Sequence, residues 1–222
     1  MKPVKLINIK KEILSVNENL ANELRSRLNE NRVFMVNLMA SPGAGKTSLI
    51  LETIKKLRSD TRIAVIEGDI DSMVDSEKII AEGIEAVQLK TGGSCHLDAS
   101  MVKLALDNLD LTNLDLVIIE NIGNLVCPAE FDTGAMMKAM IVSVPEGDDK
   151  ILKYPLMFTV SDVLIVNKID YMGMSDFDLE KLKDRANVLN PKMRIFEVSC
   201  KTGEGIDPWC NWLTSSIKTY MK

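Results

Sequence analysis

The sequence has little that would take it out of water or out of a reducing compartment. No apolar run approaches the roughly 20 residues that a bilayer-spanning helix needs. Residues 1–11 alternate lysine with apolar side chains and lack the apolar core and cleavage site of a secretion signal. Four cysteines in 222 residues are too few for a disulfide scaffold, so each needs its own explanation as core filler, ligand or reactive thiol. A basic excess is also lacking: the net charge is −5, which argues against a nucleic-acid partner. Internal repeats and low-complexity tracts are absent. The expectation is a cytoplasmic protein with neither membrane nor nucleic acid as partner.

What is present is an ordinary globular composition, 46% hydrophobic and 27% charged, long enough for one sizeable core. Apolar runs alternate with helical patterns. Residues 33–39, 62–66, 115–119 and 162–166 read as buried strands, and 139–144 and 194–198 as weaker ones. Helices are predicted over 46–58, 72–82, 97–110, 176–189 and 206–220, with an amphipathic N-terminal helix over about 12–30. This alternation predicts an α/β fold, a mainly parallel sheet flanked by helices on both faces, as a single domain over 1–222. Ligands of such sheets bind at the carboxyl ends of the strands.

The first strand ends in Ala40-Ser41-Pro42-Gly43-Ala44-Gly45-Lys46-Thr47-Ser48. A glycine-containing turn lets backbone N–H groups point at phosphate oxygens. Lys46 reaches the β and γ phosphates, Thr47 offers a hydroxyl to Mg²⁺, and the following helix adds its positive end. Ala40 stands where the strict P-loop pattern has glycine.

Asn167-Lys168-Ile169-Asp170 closes the 162–166 strand and is similar to the N-K-x-D motif of GTP-binding proteins. A carboxylate accepts two hydrogen bonds from guanine N1–H and its 2-amino group, a donor pair that adenine lacks. Asp170 is the candidate for this. Asn167 is expected to hold loops together and touch the base, and the Lys168 stem to lie over the purine. Ser199-Cys200-Lys201 follows the 194–198 strand and is similar to the S-A-K loop that meets the guanine oxygen.

Asp69 ends the second strand and is a candidate for Mg²⁺ or for the attacking water; Asp71 and Asp75 follow it closely. Glu120-Asn121-Ile122-Gly123 keeps the acid-x-x-Gly spacing in which the acid reaches Mg²⁺ and the glycine N–H meets the γ phosphate. No glutamine stands where Ras-like proteins orient water, so slow turnover is expected.

Cys95-His96 lies in a glycine-bearing loop, and Cys127 shortly after Gly123. Thiolate and imidazole suit Zn²⁺ and also serve Ni²⁺. On residue chemistry alone, a ligand set and three unrelated structural residues are equally good readings. Placement of Cys127 beside the γ-phosphate sensor favours the ligand set. Cys200 belongs to the guanine loop, and Cys210, between Trp209 and Trp212, to packing.

Together SPGAGKTSL, TGGSCHLDA, ENIGNLVCPAEFD, PEGDDKILKYPLMF and NKID resemble the HypB family of hydrogenase nickel-insertion GTPases over nearly the whole chain. The resemblance implies a SIMIBI-type G domain that hydrolyses GTP with Mg²⁺ and dimerises with GTP. It also implies a Ni²⁺ or Zn²⁺ site of Cys95, His96 and Cys127 near the dimer interface. The implied partners are a HypA-type nickel chaperone and the hydrogenase large subunit, with Lys153 near nucleotide or partner. The chain has one histidine and no cysteine before Cys95, so the extra nickel-storage tracts of some family members are not expected. Three rivals are a urease-type accessory GTPase, disfavoured because Ala129 follows Cys127-Pro128, a P-loop small-molecule kinase, and a non-catalytic metal-binding module that uses GTP only as a structural ligand.

Overall fold

A computed structural model describes residues 9–69 and 79–221. The helix predicted over 72–82 falls mostly outside these residues, as do Asp71 and Asp75; positions 79–81 are helical.

The sheet has seven strands, all parallel: β1 Phe34–Ala40, β2 Ile63–Asp69, β3 Glu85–Lys90, β4 Leu116–Glu120, β5 Met137–Ser143, β6 Val163–Asn167 and β7 Arg194–Glu197. Their order is β3-β2-β4-β1-β5-β6-β7. The predicted parallel α/β architecture is therefore present. Strand β3 is a correction to the sequence reading. It lies at the sheet edge and buries no residue fully, so it lacks the apolar run by which the inner strands stand out.

Alternation along β1 decides which layer each side chain enters. Phe34, Val36, Leu38 and Ala40 join helices α2 (Lys46–Leu57) and, from the chain end, Ile206–Tyr220 on one face. Met35 and Met39 point the other way, into two further clusters. The Met35 cluster includes α1 (Ile9–Glu30) and α3 (Ala99–Leu106). The Met39 cluster includes the short α4 (Cys127–Glu130), α5 (Lys150–Lys153) and α6 (Pro155–Val160), and the longer α7 (Leu179–Leu189). The last helix, α8 (Ile206–Tyr220), locks onto α2 through the buried Trp209, whose Nε1–H donates to Thr53 Oγ1 at 3.0 Å. Cys210 packs in the same core at 3% exposure.

Several boundaries shift for local reasons. Helix α3 starts later than predicted because the Asp98 carboxylate accepts the Met101 amide at 2.9 Å and caps it. Asp178 caps α7 in the same way through Lys181 N–H at 3.0 Å. Helix α1 begins before the predicted start and buries Ala21, Leu24 and Leu28, a stripe at helical spacing. Among the described residues no helix is long and apolar enough to cross a membrane.

Candidate functional site

The carboxyl ends of β1, β2, β4 and β6 converge on one rim of the sheet. Gly45 occupies the left-handed region at φ 102° and starts α2. A Cβ there would lie 2.3 Å from Asn167 Nδ2, so only glycine allows β6 to close on this loop. Asn167 uses that approach: its Nδ2 donates to Ala44 O at 2.9 Å, and its Oδ1 accepts Lys168 N–H at 2.7 Å and Cys200 N–H at 3.4 Å. Three loops from β1, β6 and β7 are thus held by one buried carboxamide. Lys168, itself left-handed at φ 60°, donates from Nζ to Gly43 O at 2.7 Å and bridges the first two loops again.

The cavity between these loops is lined by Gly45, Ser48, Lys168, Asp170, Tyr171 and Lys201. The Asp170 carboxylate is aimed by Ser199, whose hydroxyl donates to Oδ1 at 2.7 Å. Lys201 Nζ sits 6.0 Å from the Tyr171 ring centre. Cys200 enters by its backbone; burial pushes its thiol up to about 11, so it is inert as an acid or ligand near neutrality.

A second cavity, lined by Gly43, Lys46, Glu67, Asp69, Glu120 and Gly123, adjoins the loop on its phosphate side. Thr47 Oγ1 donates to Glu120 Oε1 at 2.7 Å. Glu67 and Glu120 are register partners on the neighbouring strands β2 and β4, and both are buried. A hydroxyl, two buried carboxylates and Asp69 around one cavity form a hard-oxygen donor set, which fits Mg²⁺. Gly123 packs against Pro42, with a Cβ position only 2.9 Å from the proline nitrogen, so the β4 loop rests directly on the β1 loop.

Beyond that loop lie the three soft donors. Cys95 Sγ is 3.1 Å from Cys127 Sγ and 3.9 Å from His96 Nδ1. The ligand atoms of Cys95, His96 and Cys127 all fall within 4.8 Å of one another. These donors are close enough together to converge on one ion, and three protein donors would leave a fourth position open on a tetrahedral Zn²⁺. Cys95 is exposed, whereas Cys127 is half-buried. Burial lowers the His96 pKa against the pull of Asp98 and Glu130, which keeps the imidazole neutral as a ligand must be. The Cys127 thiol is raised, first by its hydrogen bond with Cys95 and then by burial.

The two clusters are connected. Buried Asn121, next to Glu120, accepts the Leu97 amide at 3.1 Å and donates to Asn37 on β1 at 3.1 Å. Asn124 donates to Cys95 O at 3.2 Å and accepts Val126 N–H at 2.9 Å. Sequence reasoning missed these two asparagines, although both lie in the quoted ENIGNLVCP run. It also missed Glu67, whose place at the end of an apolar strand, two residues before Asp69, was the available signal, and Tyr171. Lys150 and Lys153 differ in their surroundings. The structure places Lys150 Nζ 3.2 Å from Ser41 Oγ and from Glu146, whereas Lys153 is exposed and paired with Asp149 at 2.6 Å.

Comparison with known proteins agrees with this layout. Residues 34–197 match the family model described as CobW/HypB/UreG, nucleotide-binding domain. The chain is 42% identical over 209 residues to the hydrogenase maturation factor HypB of Escherichia coli strain K12, covering 94% of this chain and 72% of that one. The crystal structure of HypB from Archaeoglobus fulgidus superposes with a TM-score of 0.86 at 38% identity, over 91% of this chain and 99% of that one. HypB from Helicobacter pylori in complex with nickel gives 0.87 at 37% identity, over 93% and 97%. The chain belongs to the CobW/HypB/UreG nucleotide-binding family and, within it, to the HypB hydrogenase maturation factors.

Proposed function

We propose that this chain is a GTP-hydrolysing metallochaperone that holds Ni²⁺ or Zn²⁺ and assists nickel insertion into a hydrogenase. One observation carries the reading: a loop from β4 forms a wall of the phosphate-side cavity at Glu120 and Gly123, then runs directly into Cys127.

Asp170, oriented by Ser199, selects guanine by accepting its two adjacent N–H donors. The backbone of Gly43 to Thr47 and the α2 N-terminus hold the phosphates, and Lys46 offsets their charge. Thr47, Asp69 and Glu120 are the residues that would hold Mg²⁺, which when bound neutralises charge developing on the phosphates. Among the described residues no glutamine lines the phosphate-side cavity, and slow turnover is expected. Cargo metal sits between Cys95, His96 and Cys127, with the open position left for a second copy of the chain, a nickel donor of the HypA type, or the acceptor hydrogenase subunit. Phosphate contacts at Gly123 favour a GTP-dependent homodimer and shift Cys127 relative to Cys95.

Steady-state phosphate release tests the enzymatic half. Release from GTP in preference to ATP, lost on Lys46→Ala, is expected. ATP bound as tightly as GTP would point instead to a P-loop kinase, and release unaffected by Lys46→Ala would exclude the proposed cradle.

A further inference from the structure

Helix α1 carries a polar residue at a place where its packing does not explain it. Asparagine is a poor helix former, yet Asn17 stands inside α1, one turn ahead of the buried Ala21. Its carboxamide is used at both ends. Oδ1 accepts the Ala99 amide at 2.9 Å, and Nδ2 donates to Asp132 O at 2.9 Å.

Those two partners belong to different ligand-bearing segments. Ala99 opens α3, three residues after His96. Asp132 follows α4, whose first residue is Cys127. The two segments are separate in sequence, and Asn17 bridges their backbones from the α1 side. Further contacts run parallel to this bridge, among them the ion pair of Arg25 with Asp132 at 3.0 Å. Lys10 pairs with Glu130 at 2.8 Å, and the His96 ring stacks on Phe131 with centroids 3.9 Å apart. An amide is the neutral side chain that offers a donor and an acceptor in one fixed plane, so it can set a distance between two backbones.

We propose that Asn17 is a positioning residue for the cargo site: by holding Ala99 and Asp132 together it fixes the separation of Cys95 and His96 from Cys127, and thereby the affinity for metal. This rests on the reading of those three residues as ligands. Asn17 touches no ligand atom and acts only through the two backbones. Groups that orient ligands from behind typically change metal affinity by roughly 10- to 100-fold when removed.

The test uses the full chain, with Zn²⁺ and Ni²⁺ as probes in competition with a chromophoric chelator. Variants are Asn17→Ala, Asn17→Asp, Cys127→Ala and Arg27→Ala, and metal-free melting is recorded for each. Arg27 ties α1 to Asp107 at the far end of α3, with no contact to the Asp132 segment, and serves as the control for a loosened helix. The expected result is about a 10-fold or greater loss of affinity in Asn17→Ala with unchanged stoichiometry and an altered thiolate-to-nickel absorption band. Asn17→Asp keeps the acceptor for Ala99 but has no donor for Asp132, and is expected to weaken binding as well, so the inference survives if the alanine variant does not fold. Arg27→Ala is expected to bind as wild type. Wild-type affinity in both Asn17 variants, or a loss no larger than that of Arg27→Ala, would overturn the inference. Equal affinity of wild type and Cys127→Ala would remove the ligand reading, and this inference with it.

Discussion

The side-chain oxygen of Asn121 accepts the backbone amide of Leu97 at 3.1 Å, inside the protein and out of reach of solvent. One end of this bond is the residue after Glu120; the other is the residue after His96. Leu97 also presses on Gly68, where a Cβ would come within 2.8 Å of its side chain, so the β2 end is part of the same contact. One hydrogen bond and one packed side chain thus form a contiguous physical link between the β4 loop and the Cys95–His96 loop, the route by which the proposed response to phosphate would reach the metal site.

Removal of that link gives the first prediction. Asn121→Ala leaves the buried Leu97 amide unpaired, which costs about 1–3 kcal/mol of stability. The melting temperature is expected to fall, and the dependence of metal affinity on nucleotide to shrink even where the metal-free protein remains folded. Parallel thermal melts and nickel titrations with and without nucleotide check both. An unchanged nucleotide dependence would show that the signal travels elsewhere.

Asp170→Ala removes both acceptors for the guanine edge. A hydrogen bond to a charged group contributes about 1.5–3 kcal/mol, so affinity for a fluorescent guanine nucleotide is expected to drop at least 10-fold per bond, with adenine nucleotides little affected. Ser199→Ala, which only frees the carboxylate to turn, is expected to lose less. Competition binding with GDP and ADP measures the difference.

The four thiols are expected to react in two groups. Burial raises Cys200 and Cys210 to about 11 each, so at pH 8 roughly one molecule in a thousand carries the thiolate. Cys95 is exposed and is expected to be alkylated first by iodoacetamide, with bound Zn²⁺ protecting Cys95 and Cys127 alone. Peptide mass spectrometry of partially alkylated protein distinguishes the groups. Early modification of Cys200 would contradict its place beneath the guanine loop.

Acid stability has a defined sign at Glu146. Burial raises its pKa, but hydrogen bonds from Ser143, Ser41 and Lys150 outweigh this and leave it below the ordinary 4.5. A carboxyl with a depressed folded value contributes stability that is present above the ordinary value and lost as pH falls through the depressed one. Glu146→Gln is expected to melt lower than wild type near neutrality. It is also expected to lose less of its stability than wild type as pH falls through and below 4.5. Melting curves recorded across that range give the comparison.

The parts of this molecule legible in its sequence are those in which one segment carries its own signal. The buried strands around Val36, Ile118 and Ile165 are continuous apolar runs, and the loops from Gly43 to Ser48 and from Asn167 to Asp170 are local patterns of backbone freedom and side-chain type. Edge strand β3 was lost because its residues are half wet and look like a polar connection. The asparagines were lost for a different reason. Asn17, Asn121 and Asn124 act by joining segments distant in sequence, and an isolated asparagine looks the same whether its amide meets water or a distant backbone. The grouping of Cys95, His96 and Cys127 depends on that cross-linking too, which is why residue chemistry alone left it undecided.

Sensing of the nucleotide by the Cys95, His96 and Cys127 cluster is tested most directly by one titration. Ni²⁺ is titrated into wild-type protein saturated with GDP and, separately, with a non-hydrolysable GTP analogue, with Cys127→Ala alongside. The dissociation constants of the wild type are expected to differ by roughly 5- to 150-fold between the two nucleotides, as coupled sites do, and Cys127→Ala to lose both affinity and difference. Identical constants in the two nucleotide states of the wild type would contradict the account.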